Sequence, residues 1–347
     1  MRVLIYAGYQ SNPFDSNNSN GLGGTEIAII KIAEELVLFG WKIVISGNVN
    51  TSGVIRGVEW INTFDLHQKY HNQFDVIISA SYIHFCIEFK EYSRAKKIFW
   101  AHNTHHHPWF RGELLENADE LVKQVDATVC LTNWHATQWS KAYDINRDNI
   151  HVIGNGITPQ SFIGTPRKTL GKFIWSSEPS RGLKNLLDNW NKIKKIIPHA
   201  TLDIYHPGYG APQIEALADT IQKLDGVTYI GTKSQDILHD AMLNAEYWCY
   251  ITDYEETYCI TALEMQYANV FPITTTTAAL NETVKDGIKL ELDETNWESA
   301  IQYLGRLNAD LKKKILNNNK KWVKMQTWSQ RSYDWKTLIN TVVNGKY

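Results

Sequence analysis

The sequence predicts an α/β protein built from two doubly wound domains in tandem. The chain has 347 residues, which is more than one hydrophobic core usually organises. Short runs rich in Val and Ile alternate with longer segments of helical period, which is the pattern of β-α units around a parallel sheet. A stretch rich in Gly, Pro and Thr at residues 154–171 interrupts the alternation and predicts an interdomain linker.

The predicted strands fall into two series, one on each side of this linker. We therefore expect a first domain at residues 1–156 and a second at residues 157–328. The helical segment at 329–347 follows the second series, and we expect it to pack back on the first domain. The first series comprises residues 2–7, 42–46, 75–80, 96–101, 127–132 and 151–154, and the second comprises 172–177, 201–206, 227–231, 247–252 and 270–275.

The bulk composition argues against several classes of protein. Hydrophobic residues make up 43% of the chain and charged residues 21%, values typical of a globular fold. The formal net charge of −2 argues against a nucleic-acid partner. The four cysteines show no CxxC spacing, which predicts free thiols in a reducing compartment. The sequence shows neither a signal-peptide pattern nor an apolar run of membrane-spanning length, so we expect a cytoplasmic protein and leave peripheral membrane contact open.

Ligands bind at the carboxyl ends of strands in parallel sheets, so loops after predicted strands are the places to look for chemistry. The loop "GLGGTE" (21–26) puts Gly23 and Gly24 directly before a predicted helix. Two glycines there would let a ligand approach the helix amides closely, although a simple turn explains them equally well. The apolar residues Ile27, Ile30, Val37 and Leu38 fall on one face of this predicted helix.

The loop "AHNTHHHPW" (101–109) follows a predicted strand and contains His102 and residues His105 to His107. No nearby Cys or acidic residue completes a metal-binding spacing, so we predict no metal site. A histidine at a strand end is suited to bind a substrate hydroxyl or to transfer a proton. The other histidines are expected to be loop residues without such a role.

A basic segment, "SSEPSRGLKNLLDNW" (176–190), follows the first strand of the second series. Its apolar spacing predicts a helix that starts near Ser180 or Arg181, with Ser180 as the N-cap. Arg181 and Lys184 then lie in the first turn, where cations oppose the helix dipole. A bound diphosphate would offset this cost by binding both side chains and the first-turn amides. Two solvated surface cations remain the alternative interpretation.

The segment "EETYCITALEM" (255–265) places two carboxylates around the start of a predicted helix. If the helix begins near Tyr258, Glu256 lies just before it and Glu264 well inside it. Eight helical residues span about 12 Å, which is too far for the carboxylate pair of a glycoside hydrolase. We therefore expect the two glutamates to bind different parts of one long ligand. Taken singly, Glu256 could instead be an acid favoured by the helix dipole, and Glu264 an ordinary helix residue. The amides expected to face that ligand belong to Thr257, Tyr258, Cys259 and Ile260.

In this order the segments resemble the retaining glycosyltransferases of the GT-B fold, family 4 type (glycosyl transferases group 1). The segment "EETYCITALEMQYANVFPITTTTAALNETVKDG" resembles the family's Glu-x7-Glu region, its next strand and a later glutamate, here Glu282. "SSEPSRGLKNLL" is similar to the basic donor-phosphate segment, and "GGTE" to the N-terminal glycine loop. Cys259 and Asn269 stand where the family often has glycine, and Ser177 stands near a position that is often basic.

The resemblance implies two Rossmann-like domains that face each other across a cleft, an N-terminal acceptor-side domain and a C-terminal donor domain. The implied enzyme is a hexosyltransferase of glycan or glycoconjugate synthesis. It would use a nucleotide-sugar co-substrate, UDP- or GDP-linked, and no cofactor or metal. Its acceptor would be a glycan, a lipid-linked molecule or a protein.

The resemblance also implies a role for each site residue. Arg181 and Lys184 would bind the diphosphate, Glu264 the ribose, and Glu256 the hydroxyls of the transferred sugar. His102 would contact that sugar near the reacting carbon. The donor-binding set implied beside these comprises Gly23, Gly24, Thr257, Tyr258, Cys259 and Ile260.

Two other interpretations stay open at this point. The chain could be a GT-B-like nucleotide-sugar epimerase or a phosphorylase, although no lysine stands out as the pyridoxal phosphate site that a phosphorylase needs. It could also be a catalytically silent protein that binds a nucleotide sugar or a glycan.

Overall fold

The chain divides into two compact units in a computed structural model that describes residues 1–8, 13–17, 21–70, 72–90, 94–106, 118–207, 211–291 and 296–345. The first unit comprises Met1–Ser19, Gly24–Gly156 and Trp328–Tyr347, and the second comprises Asn20–Gly23 and Ile157–Thr327. The main division falls between Gly156 and Ile157, where the sequence predicts the domain boundary.

The first unit is built on a sheet of eight strands. They are β1 (Arg2–Tyr6), β2 (Lys42–Gly47), β3 (Gly53–Ile55), β4 (Val58–Asn62), β5 (Val76–Ala80), β6 (Lys96–Trp100), β7 (Ala127–Cys130) and β8 (Ile150–Val152). Their order is β3-β4-β2-β1-β5-β6-β7-β8. The edge strand β3 runs antiparallel to β4, and the other paired strands are parallel.

Six helices accompany this sheet in the described part of the first unit. They are α1 (Gly24–Val37), α2 (Thr63–Lys69), α3 (Phe85–Glu88), α4 (Ala118–Lys123), α5 (Asn133–Tyr143) and, at the end of the chain, α13 (Trp328–Asn344). Helix α1 buries Ala28, Ile29, Ile32, Ala33 and Leu36 together with Ile30. Of the apolar face predicted for this helix, Ile30 is buried and Ile27 and Val37 are partly buried, whereas Leu38 lies beyond the end of the helix and is 76% exposed.

Helix α13 is fixed to the first unit by ring contacts and one polar contact. Trp335 is fully buried, and its ring centroid lies 4.9 Å from that of Trp100 at the end of β6. The ring of Tyr333 lies 5.2 Å from that of Phe39, just after α1. Arg331 Nε donates to a main-chain carbonyl of the same unit at 3.2 Å. These contacts put the C-terminal helix on the unit where the sequence predicts it.

The second unit is built on a sheet of six parallel strands. They are β9 (Lys172–Trp175), β10 (Thr201–Tyr205), β11 (Val227–Gly231), β12 (Tyr247–Tyr250), β13 (Phe271–Thr275) and β14 (Ile288–Leu290). Their order is β11-β10-β9-β12-β13-β14. The accompanying helices are α6 (Leu183–Ile196), α7 (Ala211–Lys223), α8 (Gln235–Asn244), α9 (Ile260–Tyr267), α10 (Leu280–Thr283), α11 (Asn296–Arg306) and α12 (Ala309–Val323). None of the helices described in either unit is both long enough and apolar enough to cross a bilayer.

Each sheet has a topological switch point beside its central strand. In the first sheet β1 lies between β2 and β5, and in the second β9 lies between β10 and β12. The connections that leave the two neighbouring strands run to opposite sides there, and the carboxyl ends open a crevice in which α/β proteins bind ligands. The basic segment follows β9 and the acidic segment follows β12, so the fold brings both to the switch point of the second sheet.

Candidate functional site

An ion pair joins the basic and the acidic segments of the second unit. Arg181 Nη1 donates to Glu256 Oε1 at 3.0 Å. The hydroxyl of Tyr250, the last residue of β12, donates to the same oxygen at 2.6 Å. Burial, and after it the Glu256 carboxylate, holds the pKa of Tyr250 well above its ordinary value, so the phenol keeps its proton and remains a donor. Arg181, Tyr250 and Glu256 thus form one hydrogen-bond network with the Glu256 carboxylate at its centre.

Tyr254 supports both members of this ion pair. Its ring centroid lies 4.2 Å from Arg181 Cζ, which is a cation–π contact. Its main-chain N–H donates to Thr252 Oγ1 at 2.9 Å, and its carbonyl accepts from the N–H of Glu256 at 2.9 Å. The carbonyl of Glu256 in turn accepts from Ala279 N at 3.1 Å. Main-chain contacts therefore fix the acidic segment before any ligand binds.

The backbone around Arg181 differs from the predicted helix start. A 3-10 turn covers Pro179–Arg181, and α6 begins only at Leu183, with Gly182 as its N-cap. The predicted cap, Ser180, is wrong because Ser180 lies inside this turn, where its N–H and its hydroxyl both donate to the Glu178 carboxylate. Arg181 consequently lies before the helix.

Gly182 lets the loop after β9 approach the loop after β12. Its φ is +114°, and a Cβ at this position would lie 2.7 Å from the carbonyl oxygen of Ile251. Real Cβ atoms essentially never come so close to a main-chain oxygen. Glycine is required here for both reasons, and the close approach is what brings Arg181 to Glu256.

Glu178 adds a second buried carboxylate to this region. The residue is 9% exposed, and its Oε2 accepts from both the N–H and the hydroxyl of Ser180. Its Oε1 is buried and has no hydrogen-bond partner among the described residues. Glu178 and Glu256 both act on the pKa of Tyr254, which burial raises and Arg181 lowers. The region therefore combines one guanidinium with several carboxylates.

Lys184 lies in the first turn of α6, as predicted, but its side chain is exposed on the surface of the unit. Its Nζ lies 2.6 Å from Asp188 Oδ2, and the two side chains are 69% and 49% exposed. An exposed pair of this kind contributes about 0–1 kcal/mol. The structure thus brings Arg181 to Glu256 and leaves Lys184 paired with Asp188.

Helix α9 begins two residues later than predicted, at Ile260. Its N-cap is Cys259, whose φ of +69° lies in the left-handed region. Thr257 and Tyr258 therefore precede the helix. The resemblance places glycine at the position of Cys259, and the observed backbone explains that preference, because glycine adopts this conformation without strain. Asn269 also has a positive φ, of +59°, which agrees with the expected tolerance of Asn for left-handed geometry.

Glu264 belongs to a separate group of contacts in the second unit. Its Oε1 lies 3.3 Å from His239 Nε2. The ring of His239 stacks on Phe162, with centroids 4.1 Å apart. His239 is 6% exposed and was not singled out by the sequence analysis, because a lone histidine in a helix carries no recognisable spacing. The two predicted glutamates thus have different partners within the second unit.

His102 lies just after β6 in the first unit. It is 6% exposed, and its ring centroid lies 4.4 Å from that of Trp100. Burial, and after it the nearby His135, lowers the pKa of His102 to about 3. The imidazole is therefore neutral at physiological pH. It can exchange hydrogen bonds with a ligand but does not carry a positive charge to it.

Three side chains of α5 fasten the loop that contains His102, and the sequence analysis missed them. His135 Nε2 lies 2.9 Å from the carbonyl oxygen of Asn103 and 2.8 Å from Trp139 Nε1, and its Nδ1 lies 3.3 Å from Leu131 N. Trp139 Nε1 donates to the same carbonyl at 3.2 Å. The Tyr143 hydroxyl donates to the carbonyl of His105 at 3.4 Å. The available signal was their spacing of four residues, which puts them on one helix face.

The remaining candidates lie in loops of the first half of the chain. Helix α1 begins at Gly24, directly after Gly23, and carries Glu26 in its first turn, where an acidic side chain favours the helix dipole. Among the histidines of the loop after β6, His107 lies outside the described residues. Within the described part of the chain no three His, Cys, Asp or Glu side chains are grouped so that they could hold a metal ion.

Two family models match most of the chain between them. The model described as "Glycosyl transferases group 1" matches residues 172–322, and the model described as "Glycosyltransferase Family 4" matches residues 42–161. The first covers the unit that holds the Arg181–Glu256 pair, and the second covers most of the unit that holds His102. No curated protein matched the sequence.

Several solved structures are similar to the chain over nearly its whole length. Anabaena Alr3699/HepE in complex with UDP and glucose has a TM-score of 0.75 at 14% identity, covering 98% of this chain and 100% of that one. Sucrose-phosphate synthase from Thermosynechococcus elongatus has a TM-score of 0.78 at 13% identity, and the match covers 99% of this chain and 100% of that one. A glycosyltransferase from Rickettsia africae has a TM-score of 0.72 at 15% identity, and the match covers 99% of each chain. At these identities the likeness shows the fold, which is that of the GT-B enzymes with two Rossmann-like units.

Proposed function

Because the chain belongs to the GT-B glycosyltransferases of the family 4 type, we propose that it transfers a hexosyl group from a nucleotide sugar to an acceptor hydroxyl. We propose that the anomeric configuration is retained and that no metal ion takes part. The observation that carries the proposal is the Arg181–Glu256 ion pair at the switch point of the second sheet. A cation and a carboxylate on adjacent loops match the two recognisable parts of a nucleotide sugar, which are its diphosphate and its hydroxyls.

The donor diphosphate binds beside Arg181 at the N-terminus of α6 in this proposal. The guanidinium supplies charge, and the first-turn amides of α6 point toward the anion. Lys184 joins them by leaving Asp188, which costs little because that pair is exposed. Glu178 and Glu256 keep the local charge from becoming strongly positive, which limits how tightly the nucleoside diphosphate is held once the sugar has been transferred.

Glu256 and Glu264 bind the two sugar rings of the donor in this proposal. Glu256, held by Arg181 and Tyr250, accepts hydrogen bonds from hydroxyls of the transferred sugar. Glu264, held by His239, accepts those of the ribose. His102 hydrogen-bonds the sugar near the reacting carbon as a neutral imidazole, since burial lowers its pKa to about 3. The other members of the donor-binding set are Gly23, Gly24, Thr257, Tyr258, Cys259 and Ile260.

The reaction proceeds on one face of the sugar. The bond between C1 and the diphosphate oxygen breaks, and a bond between C1 and the acceptor oxygen forms on the same face. The acceptor proton passes to the departing phosphate oxygen. Arg181 stabilises the negative charge that develops there, and the loss of one such donor typically costs about 100- to 1,000-fold in turnover.

UDP is the nucleotide that the similar structures favour, because the Anabaena protein was solved with UDP-glucose. We propose a UDP- or GDP-linked donor, a glycan as the acceptor and a role in glycan or glycoconjugate synthesis in the cytoplasm. Lipid-linked and protein acceptors are the alternatives.

The test begins with thermal stabilisation of the protein by UDP-, GDP- and dTDP-sugars, because a ligand that binds only the folded state raises the melting temperature. The donor that stabilises most is then incubated with acceptors, and proton NMR reads the anomeric configuration of the product. We expect an α-linked product from an α-donor. An inverted product contradicts retention, an epimerised nucleotide sugar indicates an epimerase, and binding without turnover on any acceptor indicates a silent binding protein.

Variants of the ion pair connect this activity to the site. We expect Arg181→Ala and Glu256→Gln each to lower turnover at least 100-fold in protein that remains folded. Lys195→Ala, which removes an exposed cation in the last turn of the same helix, should retain the parent's turnover. Near-parental activity in both site variants would overturn the proposal.

A further inference from the structure

A group of three lysines lies in the second unit, at the edge of the sheet opposite the proposed donor residues. Lys168 precedes β9, and its position is fixed by its neighbour Thr169, whose N–H donates to the carbonyl of Asn244 at 2.9 Å. Lys312 and Lys320 lie in α12. The donor residues follow β9 and β12, whereas this group lies where the same two strands begin.

One lysine of the group has a carboxylate partner. Lys312 Nζ is paired with an oxygen of Glu246, the residue just before β12, and donates to the Tyr247 hydroxyl at 3.1 Å. The same Nζ lies 4.2 Å from the ring centroid of Tyr247. The other carboxylate oxygen of Glu246 accepts from Gly171 N at 2.5 Å. Both oxygens of Glu246 are therefore already bound.

Lys168 and Lys320 form no ion pair with a carboxylate among the described residues. Lys168 Nζ donates to the carbonyl of Met242 at 3.0 Å, and this acceptor is neutral. Lys320 Nζ lies 5.2 Å from the ring centroid of Tyr267. Both lysines are partly buried, although lysine is mostly exposed in folded proteins. Two underpaired cations thus lie in a region that water reaches only in part.

The pKa of Lys168 reflects how close the three ammonium groups lie. Burial, and after it the charges of Lys320 and Lys312, lowers the pKa of Lys168 to about 7, against the opposing effect of Glu246. Burial and Lys324 lower the pKa of Lys320 as well. Each cation therefore disfavours the charge of its neighbour, and a negatively charged ligand would relieve this repulsion.

We propose that Lys168 and Lys320 bind the phosphate group of a small molecule, either inorganic phosphate or a phosphate monoester. The phosphate oxygens accept charge-assisted hydrogen bonds from both ammonium groups. The two negative charges of the phosphate match the two underpaired cations, and the Lys312–Glu246 pair beside them stays intact. This site is separate from the donor residues and does not depend on the proposed transferase function.

The burial of the two lysines favours a small anion over a membrane surface. A bilayer reaches the exposed cations of a helix, and α12 carries such cations in Lys313 and Lys321. Lys168 and Lys320 are partly buried instead, so a ligand that reaches both must be small.

Isothermal titration calorimetry with inorganic phosphate and with methyl phosphate tests the site, with chloride added to keep the ionic strength constant. We expect the dissociation constant to rise at least tenfold in Lys168→Met and in Lys320→Met. Both substitutions keep an apolar stem of similar length and remove a repelling charge. Lys313→Met, at an exposed position of the same helix, is the unaffected control.

The proton balance gives a readout that a merely structural role would not change. At pH 8 a phosphate monoester is a dianion, and Lys168, with a pKa of about 7, is about nine-tenths neutral. Binding of methyl phosphate should therefore take up as much as about 0.9 proton in the parent, measured in buffers of different ionisation enthalpy. Lys168→Arg should bind with almost no proton uptake, because arginine stays protonated.

The Arg181→Ala variant separates this site from the proposed donor site, which also attracts phosphate. Binding that persists in folded Arg181→Ala protein and fails in Lys168→Met supports the inference. Binding that fails in Arg181→Ala overturns it, as does equal affinity in the parent, Lys168→Met and Lys320→Met, or no binding by the parent at millimolar ligand. Vesicles of phosphatidylcholine and phosphatidylglycerol are the last arm. If the parent binds these vesicles but neither phosphate, the lysines serve a membrane surface and the inference is wrong.

Discussion

Arg181 and Glu256 lie 75 positions apart in the sequence and form an ion pair 3.0 Å long. The two side chains are unequally buried: the carboxylate of Glu256 is 8% exposed and the guanidinium side chain of Arg181 28%. Loss of Arg181 would leave a buried carboxylate whose one remaining side-chain partner among the described residues is the Tyr250 hydroxyl. Loss of the charge on Glu256 would leave a guanidinium that water reaches.

This asymmetry predicts unequal effects on stability. We expect Arg181→Met to lower the free energy of unfolding by about 1–3 kcal/mol, because an underpaired buried acceptor loses its charged partner. Adding Glu256→Gln to that variant should restore part of the loss, with a coupling energy of about 1–2 kcal/mol. Urea denaturation measures both values.

The matched control is Lys184→Met, which breaks an exposed pair in the same segment. It should cost no more than about 0.5 kcal/mol. Equal losses in Arg181→Met and Lys184→Met would show that the Arg181–Glu256 pair is no stronger than a surface contact.

The close approach at Gly182 yields a second prediction. Gly182→Ala should lower stability by about 2 kcal/mol or more and weaken donor binding, because the new Cβ would collide with the carbonyl of Ile251 and displace Arg181. Gly164→Ala is a close control. Its φ of +106° is similar to the +114° of Gly182, but nothing lies within 4 Å of its Cβ position. Differential scanning calorimetry and donor titration should show the larger loss in Gly182→Ala. The steric argument is wrong if the two variants behave alike.

The fold was largely predictable from the sequence because its central strands are fully buried. Strands such as β1 and β5, covered on both faces, read as continuous apolar runs, and every predicted strand is present. The edge of the first sheet was missed. β3 and β4 are joined by a two-residue turn in which Arg56 and Gly57 both have positive φ. Such turns usually carry Asn-Gly, so arginine at the first position concealed the hairpin.

The site was only partly predictable, because charge and helix period are local whereas contacts are not. The sequence located Arg181 and Glu256 as charged residues in loops after strands. It did not reveal that Tyr250, at the end of a buried strand, bonds Glu256, or that Glu178 binds the N–H of Ser180. Both helix starts were misplaced for one physical reason: Gly182 and Cys259 adopt left-handed caps, which leave no polar capping signal in the sequence.

The strained cap of α9 gives a third prediction. Cys259→Gly should raise the free energy of unfolding by up to about 1 kcal/mol, because glycine adopts the observed φ of +69° without strain. In a domain of this size that corresponds to about 2–4 °C in melting temperature. Cys249→Gly, in the buried strand β12, should instead destabilise by removing packed atoms and weakening a strand. A lower melting temperature for Cys259→Gly would show that its side-chain packing outweighs the strain.

His135 provides a test of how the loop of His102 is positioned. His135→Leu removes the ring nitrogen that lies 2.9 Å from the Asn103 carbonyl oxygen, and His135→Gln can keep a polar group near the same place. If the loop positions His102 for the reaction, His135→Leu should lower kcat at least tenfold with little change in donor KM, and His135→Gln should recover part of it. A purely structural role predicts equal kcat in folded samples of both variants. Steady-state kinetics at a temperature well below melting separates the two outcomes.

The same two histidines predict how stability depends on pH. Burial lowers the pKa of His102 to about 3 and that of His135 to about 4, whereas the unfolded chain protonates histidine near pH 6.5. Between these values the unfolded state binds protons that the folded state excludes. The stability from neutral burial is therefore complete above pH 6.5 and is lost as the pH falls. At pH 5 the expected loss is about 2 kcal/mol for each histidine. In His135→Gln the decline between pH 6.5 and 5 should be shallower than in the parent, whereas His106→Gln, at an exposed position of the loop, should keep the parent's slope. Urea titrations at several pH values measure these slopes, and identical slopes in all three proteins would show that burial of His135 does not control the acid response.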